Sequence, residues 1–219
     1  NVAAAAQAGK NHFVGEFGSN QCVGATRQTD IDRYERGVLM ARLVVNFLNA
    51  GAVGTSYWSL IDQYYGRNEP YAAMQQLGMW RYMRAAYRQD PDPGVYDRLT
   101  DDYQPRPQYY AYSLLTRFVR KGSEVYPLDL GNEFAAGTAV RNADGRWTYV
   151  IANATGQDLS FDLKNSLRGG MQPCKVYTYD ERRLPDGDEQ IAPSLQLENR
   201  DGTFCVGVRA HSVIVLTQL

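Results

Sequence analysis

The sequence predicts an α/β segment over residues 1–122, followed by an all-β segment over residues 123–219. In the first segment, strand-like apolar runs alternate with apolar residues at helical spacing. After Gly122 the hydrophobic period changes to that of strands, and Asp-Gly turn signals separate short runs. The formal net charge is −1, which gives no reason to expect nucleic-acid binding. No apolar run approaches the ~20 residues that span a bilayer, so we predict no membrane segment.

The stretch from His12 to Gly18 predicts a short buried strand that ends on a carboxylate between two glycines. Its aromatic and β-branched residues favour a strand, and the Ala-rich residues 1–10 before it predict the end of a helix. Gly15 and Gly18 let other backbone or a ligand approach closely. Glu16 is therefore either an ion-paired strand end or a catalytic carboxylate.

A helix and a second strand follow. Apolar residues recur at helical spacing from Thr29 to Gly51, and residues 52–60 then form a strand-like run. Strand, helix and strand make a βαβ unit, whose strands are parallel and joined by a right-handed crossover. Ligands of parallel α/β folds bind at the carboxyl ends of the strands, so we expect Glu16 and Trp58 to meet at a site.

Residues 61–105 are too long for a simple connection and are typical of a binding loop or lid. Within them we predict a helix between Met74 and Tyr87. The last helix of the first segment is predicted to start near Pro107 and to end at Gly122.

The second segment contains the turn signals Asp144-Gly145 and Asp201-Gly202. Each predicts a hairpin, and the second would join Leu195–Leu197 to Phe204–Val208. The other predicted strands are Cys174–Tyr179 and Val213–Thr217. Short strands at this spacing indicate an antiparallel β-sandwich.

Metal chemistry is not indicated. Cys22, Cys174 and Cys205 lack the spacing of a metal site, and the chain has 2 histidines far apart in sequence. We therefore expect no metal ion and no organic cofactor. A disulfide between Cys174 and Cys205 and buried free thiols are both compatible with the sequence.

Aromatic residues are abundant, with 16 tyrosines and 3 tryptophans, and most of the tyrosines precede residue 127. Such a surplus suits a sugar-binding cleft, because aromatic faces stack on the apolar C–H faces of pyranose rings. It is equally typical of residues at the edge of a core.

Four short motifs occur in a characteristic order: Gly15-Glu16-Phe17-Gly18, Tyr57-Trp58-Ser59, Arg106-Pro107-Gln108-Tyr109-Tyr110-Ala111-Tyr112 and Val208-Arg209-Ala210-His211-Ser212-Val213-Ile214-Val215-Leu216. In this order they resemble the C-terminal part of a retaining glycoside hydrolase of clan A. The resemblance implies the last two β/α units of a (β/α)8 TIM barrel over residues 1–122 and a β-sandwich accessory domain over residues 123–219.

The resemblance also assigns site residues. Glu16, at the end of barrel strand seven, would be the nucleophile, and Trp58, at the end of strand eight, would floor the subsite of the cleaved sugar. Asp62 lies just past strand eight and is either a residue that binds substrate or fixes its loop, or an ordinary loop aspartate. Further substrate contacts are expected from the two loops around the cleft, at Asn20, Gln21, Gln63, Tyr64 and Tyr65.

A TIM barrel typically needs ~250 residues and eight β/α units, whereas two units are found here. The resemblance therefore implies that the remaining N-terminal barrel segment, with the acid/base residue, is another chain or a cleaved part. Asn132-Glu133 carries the dipeptide expected around that acid, but it follows the last helix, so we expect no catalytic role for it. The clan also implies a secreted or periplasmic protein with a carbohydrate substrate.

Two alternatives remain open at the level of the sequence. The protein could be a catalytically inactive barrel that binds carbohydrate or serves as a scaffold. The chain could also fold alone as a small carbohydrate-binding module, without any companion chain.

Overall fold

A computed structural model of the chain describes residues 2–18, 22–23, 27–28, 31–64, 74–82, 103–164, 172–199 and 201–219. No helix within these ranges is long and apolar enough to cross a membrane. The first part of the chain contains the elements α1 (Val2–Gln7), β1 (Phe13–Phe17), β2 (Cys22–Val23), β3 (Arg27–Gln28), α2 (Glu35–Asn49), β4 (Gly54–Tyr57), β5 (Gln63–Tyr64), β6 (Met74–Gln75), β7 (Trp80–Tyr82), β8 (Tyr103–Pro105) and α3 (Pro107–Phe118).

The predicted βαβ unit is confirmed. Strands β1 and β4 are parallel, with Phe13 opposite Gly54 and Phe17 opposite Tyr57. Helix α2 connects them and ends before Gly51, whose φ of 94° is a conformation that favours glycine. The helix begins at Glu35, later than predicted, and Thr29 lies outside the described residues.

The prediction that the first strand is buried was wrong. Phe17 is buried, but Phe13 is 55% exposed and Glu16 is also exposed. The reason is that, within the described residues, β1 pairs with β4 alone. One edge and one face of the strand pair are left open.

The predicted helix from Met74 to Tyr87 was wrong over its described part, which forms β6 and β7 instead. A Cβ atom on Gly78 would collide with the backbone of Ile61 and Asp62, so two extended segments touch at this glycine. Met79 N donates to Ser59 O at 2.9 Å. Backbone groups that would form hydrogen bonds within a helix therefore form them between two segments instead. Residues 83–87 lie outside the described residues.

Helix α3 begins at Pro107 as predicted, because proline in the first turn gives up no helical hydrogen bond. It ends at Phe118, and Gly122 follows with a φ of 82°. The second part of the chain contains β9 (Glu124–Leu128), β10 (Ala135–Arg141), β11 (Trp147–Asn153), β12 (Leu159–Lys164), β13 (Cys174–Tyr179), a short 3-10 helix (Glu181–Arg183), β14 (Leu195–Leu197), β15 (Thr203–Val208) and β16 (Ser212–Thr217).

These strands form two antiparallel sheets. The larger has the order β14-β13-β16-β11-β10-β9, and the smaller pairs β12 with β15. The hairpin predicted at Asp144-Gly145 is confirmed. The hairpin predicted at Asp201-Gly202 was wrong, because β14 pairs with β13 and β15 pairs with β12. Both turn residues have positive φ, so the local turn was predicted correctly, but it passes from one sheet to the other.

The centre of the large sheet is buried on both faces. Alternate residues of β16, such as Val213 and Val215, pack with α2 and α3, whereas Ile214 and Leu216 pack against β12 and β15. All six residues of β16 are buried for this reason. Tyr34 and Tyr179 join the two parts further: their rings stack at 4.6 Å, and each hydroxyl donates to the other residue's carbonyl. The helices and the sheet thus share one core, and the domain boundary at residue 122 remains a prediction.

Cys174 and Cys205 are both thiols, so the possible disulfide between them is not formed. We expect iodoacetamide to alkylate Cys205 in the native protein at about pH 8 and to leave Cys174 unmodified. Cys205 is exposed, whereas burial raises the pKa of the Cys174 thiol to about 12 and keeps it protonated. Peptide mass mapping would measure this difference, and equal alkylation of the two thiols would contradict it.

Candidate active site

The carboxyl ends of β1 and β4 lie side by side and form the centre of the candidate site. Trp58 N, just past β4, donates to Phe17 O, the last residue of β1, at 2.9 Å. Glu16 precedes Phe17 directly. The structure therefore brings Glu16 and Trp58 to the same end of the parallel strand pair, as the sequence predicted.

A β-bulge shapes the end of β1. Val14 lies opposite Thr55 and Phe17 opposite Tyr57, so three steps along β1 match two along β4. Bulges often occur beside active sites, where they redirect a side chain. Here the bulge lets both Val14 and Phe17 pack on the helix side, where the Phe17 ring meets Phe47 edge-on at 5.5 Å.

Glu16 lies within this bulge and is exposed. The described residues offer its carboxylate neither a hydrogen bond nor an ion pair. The interpretation as an ion-paired strand end thus finds no support in the described part of the chain. The carboxylate is open to a ligand that approaches the carboxyl end of the strands.

Trp58 is 39% exposed, and its peptide bond to Ser59 is cis. The residues that follow it, Leu60 and Ile61, are 66% and 40% exposed. Together they present apolar surface beside the strand ends. An indole ring in this position is accessible to a flat apolar ligand face.

Asp62 fixes the loop that carries Trp58. Its two oxygens accept from Gly78 N at 3.0 Å and Tyr82 N at 3.1 Å, and also from two guanidinium nitrogens of Arg106 at 2.7 and 3.0 Å. The Asp62 side chain is 0% exposed. Of the two roles considered for Asp62, these contacts support loop fixing, because a fully engaged, buried carboxylate cannot reach a substrate.

Arg106 is the residue that the sequence interpretation missed. Its side chain is 1% exposed, and besides Asp62 it donates to Asp32 Oδ1 at 2.7 Å and to Gly78 O at 2.7 Å. Burial opposes its charge, but the carboxylates of Asp62 and Asp32 outweigh burial and raise its pKa above the usual value. The guanidinium thereby ties the start of α2, the loop after β4 and the start of α3 together.

The remaining predicted contacts are only partly visible. Gln63 and Tyr64 form β5 directly after Asp62, and their backbone alone is described. Asn20, Gln21 and Tyr65 lie outside the described residues. Among the described residues there is no group of three or more histidine, cysteine, aspartate or glutamate side chains that could hold a metal ion.

The fold defined by these elements is similar to that of glycoside hydrolases of families 30 and 51. No protein-family model matches the sequence, and no curated protein matches it. Solved structures do match. The family 30 subfamily 8 xylanase from Clostridium acetobutylicum superposes with a TM-score of 0.64 and 12% identity, over 98% of this chain and 44% of that one.

Two further structures show the same relation. The rhamnosyl-glucuronidase from Fusarium oxysporum gives a TM-score of 0.60 at 14% identity, over 99% of this chain and 45% of that one. The family 51 arabinofuranosidase from Xanthomonas axonopodis gives a TM-score of 0.55 at 13% identity, over 95% of this chain and 41% of that one. This chain therefore spans less than half the length of these structures. The predicted resemblance to glycoside hydrolases is confirmed at the level of the fold.

Proposed function

We propose that this chain is the C-terminal part of a retaining glycoside hydrolase that cleaves a poly- or oligosaccharide. Residues 1–122 supply the last two β/α units of the catalytic barrel, with β1 and β4 as strands seven and eight. Residues 123–219 form the accessory β-sandwich. The observation that carries this proposal is the exposed Glu16 carboxylate beside the partly exposed Trp58, at the carboxyl end of two parallel strands.

In the proposed reaction, a Glu16 oxygen attacks the anomeric carbon and forms a glycosyl-enzyme ester while the bond from that carbon to the leaving oxygen breaks. An acid/base carboxyl group, ~5–5.5 Å from Glu16, protonates the leaving oxygen. It lies on the barrel segment outside this chain. In the second step this group takes a proton from water, and the water oxygen replaces Glu16 on the same carbon.

Trp58 forms the floor of the subsite that holds the cleaved sugar, with its ring against the apolar C–H face of the pyranose. Asn20, Gln21, Gln63, Tyr64 and Tyr65 lie in the two segments that follow β1 and β4, and they supply hydrogen bonds and further stacking. Asp62 and Arg106 are buried and do not contact the sugar; their hydrogen bonds hold the loop after Trp58 in place. The neighbours named as xylanases and a β-glucuronidase favour a β-linked poly- or oligosaccharide as substrate.

Exposed apolar side chains support a companion barrel segment. Of the eight large hydrophobic residues that are exposed in the described part of the chain, five lie on or beside the β1–β4 pair: Phe13, Val53, Trp58, Leu60 and Ile61. Concentrated apolar surface of this kind is typical of an interface. The remaining strands of the barrel would cover the open edges of the pair.

A mechanism-based label tests the nucleophile. We expect activated 2-deoxy-2-fluoro-β-glycosides, with the xylobioside tried first, to inactivate the complete enzyme and to esterify Glu16. Trypsin would release residues 11–27, in which Glu16 is the one side-chain carboxylate. The glycosyl mass should therefore appear on that peptide alone.

Two outcomes would overturn the assignment. A label on a different peptide would move the nucleophile to another carboxylate. Steady hydrolysis of the parent glycosides without any label would contradict the retaining mechanism.

A further inference from the structure

We propose a second carbohydrate-binding site on the outer sheet, formed by Tyr126 and Trp147 with Glu124 and Arg141 beside them. This site is separate from the cleft at Glu16. Its ligand class, a polymeric β-linked glycan, rests on the proposed function.

The first observation is a patch left open on the face of the large sheet that packs against β12 and β15. These two strands cover the middle of that face, where Phe204 meets Tyr149 with ring centroids 6.3 Å apart. Toward the edge strand β9 the face is open, and Tyr126 there is 40% exposed. Trp147 packs on the covered core with one side and is partly exposed with the other.

The second observation is the way in which the two rings meet. Tyr126 on β9 and Trp147 on β11 are separated by β10, yet their ring centroids are 5.4 Å apart. The rings can approach because the β10 residue opposite Tyr126 is Ala139, whose methyl group fills little space. The two ring planes are inclined at 44° to each other, so together they form an angled aromatic surface.

The third observation is polar. Tyr126 Oη donates to Glu124 Oε2 at 2.9 Å, and Arg141 pairs with the same oxygen at 3.5 Å. The side chains of Glu124 and Arg141 are 60% and 49% exposed. Carboxylate and guanidinium groups at the rim of an aromatic surface offer acceptors and donors to sugar hydroxyls, while the rings take the C–H faces.

A polypeptide is a poorer occupant than a sugar for this patch. Proline at position 127 interrupts the backbone donors of the edge strand, which disfavours the addition of a further strand there. The exposed charges also differ from the apolar centre expected of a stable protein interface. A hydroxyl-rich ligand with apolar faces satisfies both kinds of group.

Affinity electrophoresis in gels that contain soluble xylan or β-glucan tests the proposal. The complete protein carries Glu16→Gln in this experiment, so that the polymer stays intact. We expect the polysaccharide to retard the protein, and Tyr126→Ala or Trp147→Ala to weaken the retardation about tenfold. The matched control is Phe134→Ala, which removes another exposed ring, 53% accessible, without effect on retardation. In the parent background, Tyr126→Ala should leave turnover of a short oligosaccharide unchanged, which separates this site from the active site.

Tryptophan fluorescence gives a second readout that does not depend on activity. In a complete protein whose other tryptophans are replaced by phenylalanine, Trp58 and Trp80 of this chain included, glycan should shield Trp147 from acrylamide quenching. Unchanged quenching, or retardation that is undiminished in both alanine variants, would overturn the proposal. Concentration-dependent self-association that Tyr126→Ala abolishes, without any glycan retardation, would overturn it in favour of a contact between copies of the chain.

Discussion

The Glu16→Gln variant of the complete enzyme is expected to hydrolyse glycosides at least about 10⁴-fold more slowly than the parent. The amide keeps the size of the side chain but cannot form a stable ester with the anomeric carbon, so the covalent step is lost. Glu16 is exposed and makes no contact with the described residues that supports folding, so the variant should retain its melting temperature. Sugar binding through Trp58 should also survive.

Glu133→Gln is the matched control. Glu133 is exposed, follows an asparagine, and loses the same charge in the same substitution, but it lies between β9 and β10. We expect its activity to equal that of the parent. A Glu16→Gln variant within about tenfold of the parent, a difference of only ~1.4 kcal/mol, would contradict the catalytic assignment. An inactive parent that still binds glycans would instead favour the inactive-barrel alternative.

The second large effect concerns stability. Arg106→Met should lower the free energy of unfolding by about 3–5 kcal/mol, because it leaves the buried Asp62 carboxylate without its counter-charge. For a chain of this size that corresponds to a fall of roughly 10 °C in the melting temperature. Differential scanning fluorimetry and urea unfolding would measure the two quantities.

Two comparisons make this prediction sharp. Arg146→Met removes an arginine whose partner, Asp144, is likewise 2.7 Å away, but both side chains are more than 40% exposed, so we expect a loss below about 1 kcal/mol. Adding Asp62→Asn to Arg106→Met should recover about 1–2 kcal/mol, since the unpaired charge is then removed. Equal melting temperatures for Arg106→Met and Arg146→Met would contradict the prediction, because they would show that the buried Arg106 pair stabilises the fold no more than the exposed Arg146 pair does.

The elements that the sequence predicted correctly are those set by local pattern. The β1-α2-β4 unit follows from the switch between strand-like and helical spacing, and the turn at Asp144-Gly145 follows from its φ requirement. Strand Cys174–Tyr179 was predicted with its observed bounds. Each of these depends on residues within about one element of one another.

The features that were missed depend on residues far apart in the chain. Arg106 meets Asp62 and Asp32 across 44 and 74 positions, and no local pattern marks such a pair. Leu77 and Trp80 have the spacing of a helix face, but Gly78 packs on the backbone of the loop after β4 and holds the segment extended. Strand β15 likewise pairs with β12 in the second sheet, whereas the turn at Asp201-Gly202 predicted that it would pair with β14. Tertiary contacts decided all three cases.

The core shared by the helices and the large sheet has a consequence for modular engineering. Tyr179 packs so closely on α2 that a Cβ on Gly37 would overlap its ring, and Val213 and Val215 contact the helices on the same face. A truncation at residue 122 would remove α2 and α3 from this face and expose the apolar side of the sheet to solvent. The segment 123–219 is therefore not expected to fold as a separate module: a fusion protein that uses it must also carry α2 and α3.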